Sequence, residues 1–447
     1  MSRSRNTSRL RTLVLVVAVV LATGVPARAE PVAVQRVTAA GIDAWLVEDH
    51  ANPLITVHVA FRGGAAADPD GKEGLARMAA ALLTEGAGPF GSQEFQLRLE
   101  DLAVRLNAAA DLDAVSVTLQ TLRDVHEEAF LLLRLALTEP RFDAEPVARV
   151  RSQMQAAVRR ARESPGAETS RAFYATLFPD HPYGRPARGT EVSLATINTT
   201  DLRDFVERRL AQDAMVIGVV GAVTPDELKP LLEDTFAALP ARAAPIEVPS
   251  VKPAADGDTI VVERPFPQST IAFGQPGVTR DDPDYYAAQV VNHVLGGGSF
   301  VSRLFQQVRE ERGLAYSIYS SLVPFDHSAL LLGRASTANA QAGDTIALIR
   351  QEWQRMAEHG LTPEEVAEAK TYLTGSFPLN FTSSDRIAGI LAAMQHLDLG
   401  IDYLQRRNTL VEAVTLEQAN RVARELLRPK QLTMVVLGQP EGLDASP

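Results

Sequence analysis

The sequence predicts an α+β protein of two homologous halves, each with helices packed on an antiparallel-rich sheet. Two observations carry this. Strand and helix patterns recur in the same order before and after the middle of the chain, and a single compositional break divides them, where Pro240, Pro245, Pro249 and Pro253 stand among alanines and scattered charges. Proline at that spacing supports neither a helix nor ladder pairing and suits an extended connector. A length of 447 residues also exceeds what one hydrophobic core commonly serves. The expected divisions are a leader over 1–29, a first half over 30–239, the connector over 240–257 and a second half over 258–447.

The leader comes first. Arg3, Arg5, Arg9 and Arg11 make a basic start, Leu13 to Ala22 an almost wholly apolar run, and Ala27-Arg28-Ala29 an A-x-A pattern before Glu30. The apolar run is about half of the ~20 residues a spanning helix needs. The mature chain is therefore expected to be exported, periplasmic or otherwise, and soluble, with no membrane span. Without the leader, 39 basic side chains face 55 acidic ones. So acidic a body disfavours nucleic acid, whose binding rests on neutralising phosphates. Cysteine is absent, which excludes disulfides, thiolate metal sites and cysteine nucleophiles.

In the first half, Ile55, Val57, Val59 and Phe61 alternate with Thr56, His58 and Arg62, the period of a half-buried strand. Leu75, Met78, Ala79 and Leu82 mark a helix, and Val115, Val117 and Leu119 a second strand. Helices follow over Val125 to Leu137 and after Asp143, the expected cap, with Pro146 in the first turn. Met215 to Gly221 is a short apolar strand, and Thr224-Pro-Asp-Glu227 a capping box. The second half repeats this. A strand begins at Thr270, a helix spans Tyr285 to Leu295, strands run over Tyr316 to Leu322 and Ala329 to Leu332, Thr362-Pro-Glu-Glu365 is again a capping box, and Leu432 to Gly438 closes the half.

Catalytic patterns are scarce. Among His50, His58, His126, His181, His293, His327, His359 and His396, no two lie three or four apart, the spacing that aims two imidazoles at one zinc. His126-Glu127 opens like H-E-x-x-H, but the fifth residue is Phe130. His181, in Asp180-His181-Pro182-Tyr183-Gly184, sits in turn chemistry. Neither G-x-S-x-G nor S-x-x-K occurs. Gly296, Gly297 and Gly298 allow close backbone approach or positive φ, or simply a flexible turn between helices. Arg309 falls near a helix end, Gly313 breaks that helix and Tyr316 starts a strand. The pair either offers donors to a peptide carbonyl or carboxylate, or is a solvated helix end beside a packed tyrosine.

The stretch from Gly296 through Ser302-Arg303-Leu304-Phe305 and Val308-Arg309-Glu310-Glu311-Arg312-Gly313-Leu314-Ala315 to Tyr316 resembles the second-half signature of pitrilysin-type (insulinase, inverzincin) metallopeptidases. The likeness extends to Phe61-Arg62-Gly63-Gly64-Ala65, Asp180-His181-Pro182-Tyr183-Gly184 and both capping boxes. It implies half of a clam-like peptidase chamber, with Arg309 and Tyr316, beside Gly296 to Gly298, as the substrate-holding residues. The family's zinc segment aligns with Gly74-Leu75-Ala76-Arg77-Met78-Ala79-Ala80-Ala81. Arg77 and Ala81 take the histidine positions, Ala80 that of the general-base glutamate, and Ala156 and Ala157 stand where the third ligand falls. By the resemblance this chain holds no catalytic residue and no zinc of its own. The resemblance implies the zinc-free subunit of an exported heterodimeric endopeptidase, positioning peptides for a zinc-bearing paralogous partner, as in the mitochondrial processing peptidase. The alternative is a structural pseudo-peptidase scaffold.

Amino-terminal sequencing of the exported protein should begin at or near Glu30; an intact Met1 in a membrane fraction would refute the leader assignment.

Overall fold

The computed structural model describes residues 33–443, so the leader expected over 1–29 lies outside the described residues. From Val34 onward the chain forms one compact unit. Six strands make the first sheet: β1 (Gln35–Ala39), β2 (Ile42–Glu48), β3 (Leu54–Arg62), β4 (Arg105–Ala110), β5 (Ala114–Leu122) and β6 (Met215–Gly221), in the order β1-β2-β6-β3-β5-β4. Five make the second: β7 (Thr259–Glu263), β8 (Gln268–Pro276), β9 (Ala315–Pro324), β10 (Ala329–Ala338) and β11 (Thr433–Gly438), in the order β7-β11-β8-β10-β9. Apart from β1, a hairpin partner of β2, the two orders correspond strand for strand. Each holds one parallel pair, β2 with β6 and β7 with β11, among antiparallel neighbours. The duplication seen in the order of elements therefore extends to topology.

Local signals place most elements. Both capping boxes form: Glu227 N donates to Thr224 Oγ1 at 3.3 Å and Thr224 N to Glu227 Oε2 at 2.9 Å, with the same reciprocal bonds between Thr362 and Glu365. Asp143 departs from expectation. It stands at the N-cap of the helix Ala144–Arg162, but its side chain caps nothing and instead accepts from Arg141 Nε at 2.7 Å. A nearby guanidinium outcompetes the backbone N–H groups for that carboxylate. Strands β1, β2, β4 and β7 escaped the sequence reading. β4 reads Arg-Leu-Asn-Ala-Ala-Ala, a composition poor in β-formers.

The halves are joined by an exchange of helices. The helix Ser384–His396 of the second half packs on β3 and β6 of the first sheet, and the helix Pro165–Leu177 of the first half packs on β8 and β11 of the second. Strand β3 is therefore covered on both faces, not half-buried as its alternation suggests: Thr56 is fully enclosed, and Arg62 Nη2 donates to the His396 carbonyl at 2.6 Å. Two glycines permit the approach. A Cβ on Gly218 would lie 2.2 Å from the Ala388 carbonyl oxygen, and one on Gly274 2.8 Å from the Phe173 ring. Between the halves Phe173, Leu177, Phe178 and Tyr183 form one core with Ala272, Leu330, Leu332 and Val435.

The proline-rich connector is extended, as expected, and acts as a strap. Val251 N donates to the His327 carbonyl at 2.9 Å and Ala254 N to the Leu177 carbonyl at 2.8 Å, while Val248 and Ala255 enter the shared core. His181 holds it from below: its Nε2 donates to the Pro249 carbonyl at 2.8 Å, and its Nδ1 accepts from Tyr183 N. The turn role expected of His181 is what the structure gives it.

Gly218→Ala should cost about 2 kcal/mol or more, because the obstructing atom is helix backbone and cannot swing aside. Gly389→Ala, in the helix Ser384–His396 with nothing within 4 Å of the added carbon, should instead gain up to ~1 kcal/mol. Urea unfolding of both variants beside the parent chain checks the contrast.

Candidate functional site

Arg309 and Tyr316 come together. The sequence from Phe305 to Glu310 winds as a π-helix, a wide turn that occurs mostly at functional positions. Gly313, at φ +60°, ends the helical run in the left-handed region and lets β9 start at Ala315. The Arg309 guanidinium lies over two rings, 4.7 Å from the centre of Phe305 and 5.5 Å from that of Tyr316. The guanidinium makes no hydrogen bond or ion pair among the described residues, so its donors remain unspent there. Tyr316 is 78% exposed, with Phe300 and Val301 exposed alongside. Of the two readings open at the sequence level, a tyrosine packed into the body does not occur.

The glycine turn supports this surface from behind. Gly296 and Gly297 close a second π-helix, His293–Gly297, and none of Gly296, Gly297 and Gly298 has positive φ. They serve close approach: added carbons would meet Ser320 Oγ at 2.4 Å, Asn292 Nδ2 at 2.6 Å and the His293 carbonyl at 2.8 Å. Gly296 and Gly298 are buried and Gly297 is exposed. Arg303, quoted only as part of a motif, anchors the same segment. Its guanidinium grips Glu365 in a two-point pair at 2.7 and 2.6 Å and donates to the Gly360 carbonyl at 3.0 Å. Glu365 thus both closes a capping box and ties down the Arg309 helix, a double use that spacing alone did not reveal.

In the first half, Arg77, Ala80 and Ala81 lie on the helix Leu75–Leu82, which packs against the helix Ala144–Arg162 carrying Ala156 and Ala157. Ala80 is buried; Ala81, one turn beyond Arg77, is exposed. A zinc site needs lone pairs, and these positions offer methyl groups and a permanent cation. The residues present do not fit the metal. Among the described residues no three His, Asp or Glu side chains gather where they could hold one. Arg77 itself is poorly compensated. Its Nε is enclosed without an acceptor, and it forms no ion pair among the described residues. Burial pulls its pKa below the usual guanidinium range, and the like charge of Arg188 pulls the same way against Asp111 and Asp68.

Asp68, which the sequence reading did not single out, begins this helix. Its two oxygens accept from Gly74 N and Ala76 N, each at 2.9 Å, replacing the missing cap at Gly74. Burial pushes its carboxyl up to about 7, against the pull of the backbone N–H groups of Ala76, Gly74 and Leu75. His126 stands at the first residue of the helix His126–Thr138, its Nδ1 against the Arg123 carbonyl.

Comparison with known proteins adds the lineage. The family model described as Insulinase (Peptidase family M16) matches residues 44–191, and the one described as Peptidase M16 inactive domain matches residues 196–373. The non-peptidase homolog YmxG of Helicobacter pylori is 27% identical over 407 residues, 90% of this chain and 93% of that one. An uncharacterized zinc protease of Mycobacterium leprae is 34% identical over 271 residues, 60% of each. Among solved structures, the peptidase M16 inactive domain from Pseudomonas fluorescens matches with a TM-score of 0.86 at 28% identity, over 93% of this chain and 99% of that one.

The Asp68 carboxyl gives a pH prediction. Its folded pKa, about 7, lies above the ~3.9 of an unfolded aspartate. Between those values the folded chain binds more protons than the unfolded one, so this group's contribution to stability falls as pH rises through the window. Asp68→Asn cannot ionise. Relative to the parent, the variant should gain stability steadily from pH 4.5 to 7.5 in urea titrations, and a difference independent of pH would contradict the assignment.

Proposed function

The chain is an inactive member of the insulinase-type peptidases (peptidase family M16), and on that footing we propose that it is the zinc-free subunit of an exported heterodimeric metalloendopeptidase, binding and positioning peptides for a zinc-bearing paralogue. The observation that carries this reading is Arg309. A guanidinium fixed over Phe305 and Tyr316 with no hydrogen-bond partner among the described residues is preorganised for an outside acceptor. A peptide carbonyl or carboxylate takes two N–H donors from Arg309, and the exposed phenol of Tyr316 supplies a third. Holding the scissile segment in one register converts a bimolecular encounter into a positioned one. The partner's zinc supplies the activated water. Gly296, Gly297 and Gly298 contribute by letting the π-turn lie close on β9 behind the pair. The export part of the proposal rests on the leader pattern alone.

A pseudo-peptidase scaffold is the competing reading, and the name of the Helicobacter relative, a non-peptidase homolog, favours it. The two part at the clamp, since a scaffold has no use for an unspent guanidinium beside an exposed tyrosine.

Losing a hydrogen bond to a charged group costs ~1.5–3 kcal/mol. Arg309→Ala should therefore lower the reconstituted complex's kcat/KM by about one to two decades. Tyr316→Phe should lower it less, because the ring that carries the guanidinium remains. Subunit association and melting temperature should change little in either variant. Kinetics of the pair beside its melting curve decide the matter, and unchanged turnover in both variants would leave the scaffold.

A further inference from the structure

We propose that the degenerate metal position is a carboxylate receptor, in which Arg77 and Arg188 take the place of the metal's positive charge. The argument starts from charge accounting. A desolvated cation is ordinarily paired, yet Arg77 has an enclosed Nε with no acceptor and no ion pair among the described residues. The acids whose charge reaches it, Asp68 and Asp111, form no ion pair with it among the described residues. Asp68 gives one oxygen to Gly74 N and the other to Ala76 N. Asp111 Oδ1 accepts from Asp113 N at 2.8 Å and Ala114 N at 2.7 Å. The charge of Arg188, which also reaches Arg77, has the same sign. The Arg188 loop lies against the first turn of the helix Leu75–Leu82, close enough that a Cβ on Gly74 would sit 3.0 Å from the Arg188 carbonyl oxygen.

Arg77 and Arg188 form no ion pair among the described residues; with Ala81 exposed one turn beyond Arg77, on a helix packed against the one that carries Ala156 and Ala157, they make this a place of positive potential. A guanidinium fork matches the two oxygens of a carboxylate. That the carboxylate belongs to a peptide, at its end or on an acidic side chain, rests on the peptide-binding reading above. The anion preference does not.

The test uses the isolated chain and no turnover, so it can fail or succeed independently of the Arg309 clamp. Arginine-labelled protein is titrated with N-acetyl-tetraalanine as the free acid, its carboxamide, a carboxamide peptide with one internal aspartate, and inorganic phosphate, while the Arg77 Nε–H resonance is followed. The free acid, the aspartyl peptide or both should bind and move that resonance, and which of them binds identifies the carboxylate's source; the neutral amide should not. Followed by calorimetry, Arg77→Gln should weaken binding at least about tenfold, and Arg188→Gln, at an exposed position, should weaken it less but measurably. Equal binding of acid and amide, a response to phosphate only, or undiminished binding in the Arg77 and Arg188 variants would overturn the proposal.

Discussion

The exchange of helices between halves is the contact on which the rest of the structure depends. Each sheet covers one face with its own helices and receives the other cover from the opposite half: Ser384–His396 on β3 and β6, Pro165–Leu177 on β8 and β11. Neither half alone completes its core. The approach is close enough that Gly218 has no room for a Cβ, and Gln395 on the visiting helix reaches the Ile217 carbonyl at 2.8 Å. Apolar burial supplies the drive, and the polar edge of β3 is satisfied by the same helix.

A polar cluster locks the exchange at one end. Tyr183 donates to Asp113 Oδ1 at 2.6 Å and accepts from His327 N at 3.0 Å, and His396 Nε2 meets the Asp326 carboxylate at 2.9 Å. These residues come from the β4–β5 turn, the segment after Pro165–Leu177, the β9–β10 turn and the end of Ser384–His396. The connector crosses the same region, bonded to both halves, and the motif Asp180-His181-Pro182-Tyr183-Gly184 has a structural task there.

The two halves carry different chemistry. In the second, a pair of π-turns and the Arg303–Glu365 bridge hold Arg309 at the surface with donors free. In the first, the helix that would carry zinc ligands carries Arg77, Ala80 and Ala81, and its N-terminus is capped by a buried carboxyl. A guanidinium at that point supplies positive charge but no Lewis-acid chemistry, which needs an open coordination position. The fold survives the exchange because Ala80 and Ala81 preserve the helix, and alanine is its best former.

The sequence by itself determined what short-range stereochemistry controls. The alternation of Ile55 to Phe61 placed β3, Thr224 and Thr362 placed two helix starts, Gly313 placed a helix end, and the seven-residue step from Arg309 to Tyr316 across that end was enough to bring them to one spot. Loss of the zinc donors was legible as identity alone. The tertiary structure decided which surfaces met. It turned β3 from half-buried to buried, drew Asp143 to Arg141, paired β2 with β6 and β7 with β11 across more than 150 residues of chain, and left Arg77 without a counter-ion. Periodicity and capping act over a few residues, so they mark an element's own shape. The element's partner is fixed by burial and charge balance summed over the whole chain, which no local window contains.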